Sequence, residues 1–534
     1  MSDEAGSATA PGRNSDGAAG AARAPALELR AIDKRFGAVH ANRAISFAVA
    51  AGSIHGLIGE NGAGKSTLMN IIYGFHRADS GEILVHGRKV DIASPQAAIA
   101  AGIGMVHQHF MLVENFTVLE NVILGVEGGA LLAGGLTAAR RELEKLARDY
   151  GLEVPLDSMI SELSVGLQQR VEILKALYRR AEILILDEPT AVLTPQEADQ
   201  LFKMLGRLRE QGKAVILVTH KLREIMAITD RVTVMRQGAV VAEVMTKETS
   251  PRGLAEKMVG RAVLLQVDKS PATPGVALLS VTDLEVRDRL GVPRVKGVSF
   301  ELRAGEIVGV AGVAGNGQSE LLEALAGIRA PSRGEIRLGG RELVREQLDA
   351  RARRALGLAH VPEDRLRMGV VASFSAEANA MLGYHDRPRY GRGLFLDQAA
   401  SLAGCEAKMK EFDVRPAQPA LRISAFSGGN QQKLVMAREI DADPSVLLIG
   451  QPTRGVDIGA IEFIHRRLLA LRDAGKAILL VSVELDEIMS LSDRIAVMFD
   501  GRIMGERDPS GTNERELGLL MAGVGGPDPV KGAA

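Results

Sequence analysis

Short unbroken apolar runs alternate along this chain with longer segments whose apolar residues recur at helical spacing. IHGLI, EILILD and AVILVTH have strand length and carry apolar side chains at successive positions, the mark of strands covered on both faces. AILLVSV, from Ala477, has the same character. STLMNIIYGF and LQQRVEILKALYRR read instead as helices. Strands interleaved with helices predict α/β domains, each built on a mainly parallel sheet. No run approaches the ~18–20 apolar residues that span a bilayer, so any work at a membrane is expected to go through a partner.

The alternation occurs twice because the chain repeats itself. ISFAVAAGSIHGLIGENGAGKST, from Ile45, matches VSFELRAGEIVGVAGVAGNGQSE, from Val298, with Gly59 falling on Gly312, 253 residues on. Later, LSVGLQQ from Leu163 matches FSGGNQQ from Phe426, 263 residues on. Two homologous halves follow, far longer than solenoid repeats, at residues 26–265 and 277–522, with a short linker at 266–276 containing the Pro/Ser/Gly stretch DKSPATPG. Residues 1–25 are rich in Ala, Gly and Ser, carry early acids and lack the apolar segment of a secretory signal. They are expected to be a disordered tail, and the Gly/Pro-containing residues 523–534 a flexible one.

Composition narrows the function classes. A length of 534 residues suits several domains, and a formal net charge of −1 argues against nucleic-acid binding by bulk electrostatics. The single cysteine, Cys405, excludes an intrachain disulfide framework and a cysteine metal cluster, and suits a reducing compartment.

The stretch GENGAGKS at 59–66 (Gly59, Glu60, Asn61, Gly62, Ala63, Gly64, Lys65, Ser66) fits G-x-x-x-x-G-K-[ST] in full. It stands between apolar IHGLI and helical STLMNIIYGF, the strand–loop–helix setting that such a loop needs. Its glycines let backbone N–H groups turn inward around phosphate oxygens. Lys65 brings a cation to the β and γ phosphates of ATP, Ser66 is placed to hold Mg2+, and the helix N-terminus adds a favourable dipole. EILILDEPT ends a strand on Asp187 and Glu188. Asp187 is expected to reach the Mg2+ sphere, and Glu188, one step beyond, to orient or deprotonate the attacking water. His220, ending AVILVTH, and Gln108, in GMVHQHFMLVENFTVLENV, would be unremarkable alone; their order along the chain raises them.

Phosphate loop, glutamine loop, LSxG-type signature, Asp-Glu strand and switch histidine occur in the first half, and their counterpart positions recur in the second. The chain therefore resembles ATP-binding cassette (ABC) ATPases over everything between its two tails. It is more closely similar to the fused double-cassette ATPase subunits of bacterial importers for simple sugars and nucleosides. GMVHQHFMLV and QPTRGVDIGAIEFIH look most like the nucleoside branch. The resemblance implies an α/β fold of two tandem P-loop NTPase domains, each with a mainly parallel sheet, an antiparallel β subdomain and a helical subdomain. It implies that Phe36 stacks on adenine, that residues 59–66 and Thr67 hold the phosphates, and that Ser66, Gln108 and Asp187 surround the metal. Glu188 would polarise water, and His220 would contact the γ-phosphate. It further implies two transmembrane permease subunits as partners, an extracytoplasmic substrate-binding protein reached through them, no nucleic acid, and a place on the cytoplasmic face of the bacterial inner membrane. Residues 109–120 would receive the permeases' cytoplasmic helices.

In that family two cassettes close head to tail, each ATP lying between the phosphate loop of one and the signature of the other. Site one would join the first half's machinery to the signature Ser427, Gly428, Gly429, Asn430 and Gln431, with Asp457 as the D-loop acid, and nothing is missing. Site two would use the loop containing Gly312, Gly315 and Gly317. There Gln318 replaces the lysine, Ser319 keeps its place, and Glu320 replaces Thr67. Glu363 stands for the glutamine, Gly450 and Gln451 for the Asp-Glu pair, and Val483 for the histidine. Its opposing signature is Ser164, Val165 and Gly166, with Val165 in a glycine's place and Thr194 in the D-loop aspartate's. The changes fall on both sides of one composite site, which predicts one hydrolytic and one degenerate site.

Import of nucleosides is the leading expectation, with a simple sugar such as ribose or galactose as the alternative. A soluble double-cassette ATPase acting on ribosomes would carry a long charged helical linker and two intact sites, which this chain lacks. A scaffold without hydrolysis is opposed by the complete first site.

Overall fold

Alternation inside the apolar runs decides the architecture. In the strand Ile183–Asp187, Ile183 and Ile185 face one buried cluster while Leu184 and Leu186 face another. Ala477–Ser482 behaves alike, with Ile478 and Leu480 on one side and Ala477, Leu479 and Val481 on the other. Such strands must be covered on both faces, and each fully buried Leu or Ile contributes about 1.5–3 kcal/mol. Helices Val165–Tyr178 and Pro195–Glu210 cover one face of the first sheet; helix Lys65–Ile72 and a small antiparallel sheet cover the other.

The computed structural model describes residues 24–37, 39–107, 110–125, 132–190, 193–262, 269–392, 395–456 and 458–525. The first half's main sheet has six strands in the order Ala239–Met245, Arg231–Arg236, Ile54–Gly59, Ala214–Val218, Ile183–Asp187, Ile103–Val106, parallel except for the first. The second half repeats it as Arg502–Arg507, Arg494–Phe499, Glu306–Ala311, Ala477–Ser482, Val446–Gly450, Leu358–Val361. Each half also has a four-stranded antiparallel sheet and a helical region, Val118–Ile123 to Val165–Tyr178 in the first and Ala376–Ala380 to Gly428–Ile440 in the second. The second half holds additions that the first lacks among the described residues, a π turn at Arg365–Gly369 and a hairpin of Gly391–Arg392 with Phe395–Leu396. Lys269 and Ser270, in the expected linker, are tied to the second half. Lys269 lies 3.1 Å from Asp493, and the buried Arg472 donates to the Ser270 carbonyl at 2.9 Å.

The halves pack about an approximate twofold axis. Helix Pro195–Glu210 lies on Glu514–Met521, and Ile458–Asp473 on Pro251–Val259. A shift of 263 residues carries each partner of the first contact onto a partner of the second.

Candidate active site

The phosphate loop lies where strand Ile54–Gly59 gives way to helix Lys65–Ile72. Gly64 caps that helix at φ 96°, and a Cβ there would stand 2.2 Å from the Ala41 carbonyl oxygen, so only glycine closes the loop. The Lys65 ammonium is 6% exposed and donates to the carbonyls of Gly59 (2.7 Å) and Glu60 (3.1 Å). Burial lowers its pKa, against the nearby Glu188, Asp187 and Glu60. A phosphate would exchange these neutral acceptors for charged ones, which make roughly twofold stronger hydrogen bonds.

Two adjacent carboxyls hold different protonation preferences. Asp187 ends its strand with its pKa pushed up to about 6 by burial and by Glu188, with Lys65 opposing. Glu188 has φ 47°, a left-handed conformation that costs a side-chain-bearing residue roughly 1–2 kcal/mol. Its Oε1 lies 2.9 Å from His220 Nδ1. Burial raises the Glu188 pKa, but the His220 contact and neighbouring cations bring it below the usual carboxylate range. The site thus holds an ionised glutamate beside an imidazole, and an aspartate whose charge is disfavoured by burial and by Glu188 more than Lys65 compensates.

That combination fits Mg2+. No cluster of three or more His, Cys, Asp or Glu able to hold a metal exists among the described residues. A cation here would take one carboxylate from Asp187 and a hydroxyl from Ser66, with most ligands from phosphate and water, the usual coordination of Mg2+ in nucleotide sites.

A cavity of about 1670 Å³ lies between the halves. From the first half it is lined by Phe36, Asn61, Gly62, Gly64, Lys65, Ser66, Thr67, Asp187, Glu188 and His220. Gly315, Gln318, Ser319, Glu363, Gln451 and Val483 line it from the second. Phe36 is 44% exposed, with the His76 ring edge-on at 5.3 Å and the Lys34 ammonium 5.4 Å from its centroid, so that part of its surface is open to a flat ligand. Ala63 is buried under the loop. Gln108 and Asp457 lie outside the described residues.

Neither signature serine lines this cavity. Ser427 caps helix Gly428–Ile440, and the Asn430 amide donates to its hydroxyl at 2.8 Å. Gly429 is buried. The Gln431 side chain donates to the carbonyls of Ile423 (3.1 Å) and Phe426 (3.0 Å), so it braces the turn before the signature. Ser164 caps helix Val165–Tyr178 and, with Gly166, lines a second cavity of about 380 Å³. Thr194 caps helix Pro195–Glu210 through a capping box with Glu197, a task aspartate performs equally well. In the segment at 110–120, Met111 is 60% exposed, whereas Leu112 packs against the helical core.

The second half's loop is built differently in its details. Gln318 donates to the Val313 carbonyl at 3.0 Å, copying the Lys65 contact without its charge. Its Nε2 also occupies the space a Cβ on Gly312 would need, and Gly317 repeats the left-handed cap at φ 101°. Gln451 repeats the left-handed turn at φ 48° and accepts from the Val483 N–H at 3.3 Å. The Ser319 hydroxyl donates to Glu363, whose pKa is raised by burial. A Cβ on Gly450 would lie 2.4 Å from Glu363 Cγ. Glu363 therefore fills the space that a side chain at position 450 would need.

Sequence reasoning missed Arg365. Its guanidinium donates to the Arg454 carbonyl at 2.8 Å and fills the place of a Gly428 side chain, whose Cβ would lie 2.4 Å from Nη2. The available signal was length. Asn121 and Asn379 play the same part, accepting from the N–H groups of Val113 and Val371. Yet fifteen residues separate Val106 from Asn121 and eighteen separate Val361 from Asn379. No arginine stands between Val106 and Val118.

The ABC transporter family model matches residues 42–191 and 295–454. The chain is 47% identical over 497 residues to the nucleoside import ATP-binding protein NupA of Lactococcus lactis subsp. cremoris, covering 93% of this chain and 98% of the relative. It is 47% identical over 498 residues to the guanosine import ATP-binding protein NupO of Bacillus subtilis, covering 93% and 97%. It is 45% identical over 543 residues to the glucose import ATP-binding protein TsgD13 of Haloferax volcanii, covering 96% and 98%.

Proposed function

The chain belongs to the ABC transporter family and is an ATPase of the import type, and from that premise we propose that it hydrolyses ATP at one composite site to drive uptake of nucleosides. Lys65 and the loop from Gly59 to Thr67 hold the phosphates, and Phe36 stacks on adenine. Asp187, Ser66 and Gln108 hold Mg2+, which when bound neutralises phosphate charge. Glu188, kept ionised beside His220, orients the attacking water, and the signature at Ser427 to Asn430 closes the site from the other half. The observation that carries the single-site reading is Glu363 in place of a strand-end acid, with Gln318 and Gln451 beside it. This second site lacks both a phosphate-binding ammonium and a water-orienting carboxylate.

No helix among the described residues is long and apolar enough to cross a membrane. The likeness to import ATP-binding proteins supports transport through permease subunits, with the chain on the cytoplasmic face and a binding protein outside. The nucleoside substrate rests on the likeness to the nucleoside and guanosine importers, and the 45% identity to a glucose importer keeps sugars as the alternative.

The test is uptake of labelled guanosine, ribose and glucose in cells carrying the native chain or Lys65→Ala. Guanosine uptake should be lost with Lys65→Ala while sugar uptake persists. Loss of sugar uptake alone would move the substrate to that class.

A further inference from the structure

Two ion pairs stand across the twofold axis between positions that are equivalents of one another. Lys221 Nζ lies 3.0 Å from Glu484 Oε2, and Arg223 Nη1 lies 2.8 Å from Asp486 Oδ1. In each pair the partners are 263 residues apart, the offset that relates the halves here. Arg223 also meets Glu514.

Near a twofold axis a residue meets its own equivalent. Two first halves paired in this way would set Lys221 against Lys221 and Arg223 against Arg223. Two second halves would set Glu484 against Glu484 and Asp486 against Asp486. As an attraction the Arg223–Asp486 pair is weak, its side chains being 61% and 68% exposed, while those of Lys221 and Glu484 are more enclosed at 26% and 37%. Their effect lies in the pairings they penalise, since like charges opposed across an interface exclude the wrong partner.

We infer that these two pairs form a pairing code, selecting first half with second half and rejecting both homotypic arrangements. This rests on the proposed cross-paired ATP site. Only first-with-second pairing brings the Lys65 loop to the signature with Gly428. First-with-first pairing offers it Val165, and second-with-second pairing brings only the Gln318 loop. The code thus protects the one combination that assembles a complete site, whether the second half comes from the same chain or from another copy.

Two full-length variants test it. A basic variant carries Glu484→Lys and Asp486→Arg; an acidic variant carries Lys221→Glu and Arg223→Asp. Each alone opposes like charges, and its ATPase rate should fall below about a tenth of native at low salt, rising again as ionic strength screens the charges. Mixed in equal amounts, the native first half of the basic variant meets the native second half of the acidic one. Turnover should then exceed the sum of the separate rates about fivefold, with a two-chain species in sedimentation. Either variant turning over within about twofold of native, or a mixture with no gain, overturns the code. Adding Ser427→Ala to both variants separates this from the proposed site. Loss of the gain with the two-chain species retained supports both, whereas a gain that survives leaves the code standing and removes the cross-paired site.

Discussion

Glu363 occupies the space in which Gly450 would carry a side chain, with 2.4 Å between its Cγ and the position of a Gly450 Cβ. The second loop therefore cannot regain its strand-end acid by one substitution. Gly450→Asp should cost about 1–3 kcal/mol of overpacking and lower the melting temperature without raising ATPase activity. Glu363→Ala in the same chain should relieve much of that cost. Equal melting temperatures for the native chain and Gly450→Asp would show that the loop yields freely.

Site asymmetry gives a paired prediction. Glu188→Gln should reduce turnover by about 10²–10⁴-fold, the usual scale for a proton-transferring group, while ATP still binds at Lys65. Gln451→Ala should leave turnover within a few-fold, because the Gln451 side chain accepts from its own half's Val483 N–H. Comparable losses in a steady-state ATPase assay would contradict the single-site reading. Gln318→Lys in the Glu188→Gln background should restore nothing, since Gly450, Gln451 and Val483 remain as they are.

Asp187 makes stability depend on pH in a direction opposite to that of most carboxylates. Its folded pKa is about 6 against an ordinary 3.8, so the folded chain binds the extra proton between those values. Stability contributed by Asp187 falls as pH rises through that window, by about 3 kcal/mol at 1.36 kcal/mol per unit. Asp187→Asn should therefore melt higher than native at pH 7.5, and the difference should vanish near pH 4. Mg2+ affinity of the native chain should weaken as pH drops below about 6. Identical melting profiles at both pH values would refute the assignment.

The fold and the first loop were legible because the signals are local. An unbroken apolar run such as Ile183 to Leu186 requires cover on both faces, and G-x-x-x-x-G-K-S needs only the strand and helix beside it. What stayed hidden depends on contacts between distant segments. Glu363 and Gly450 are 87 residues apart, and as letters they read as two separate losses. Thr194 looked like a lost aspartate until its capping box with Glu197 showed that the helix start is served equally well. Lys221 and Glu484 carry no motif at all; only the axis between the halves makes them opposites.

Arg365 and Gly428 give the last prediction. The guanidinium holds the Arg454 carbonyl and lies against the signature glycine, with the Gly455 carbonyl on the other side. Gly428→Ala pushes a methyl group between them, so it should displace the signature and lower turnover at least tenfold. ATP binding should be unchanged, because the Lys65 loop belongs to the other half. Arg365→Ala should lower turnover by less. It removes the brace on Arg454 while leaving the Ser427 cap, and lysine, with one point donor for a planar fork, should rescue only in part. In the Arg365→Ala background the added loss from Gly428→Ala should shrink, leaving only the Gly455 contact. A double-mutant cycle on turnover measures the difference. Additive losses would mean that Arg365 does not explain why this signature keeps its glycine, and that the valine at position 165 needs another cause.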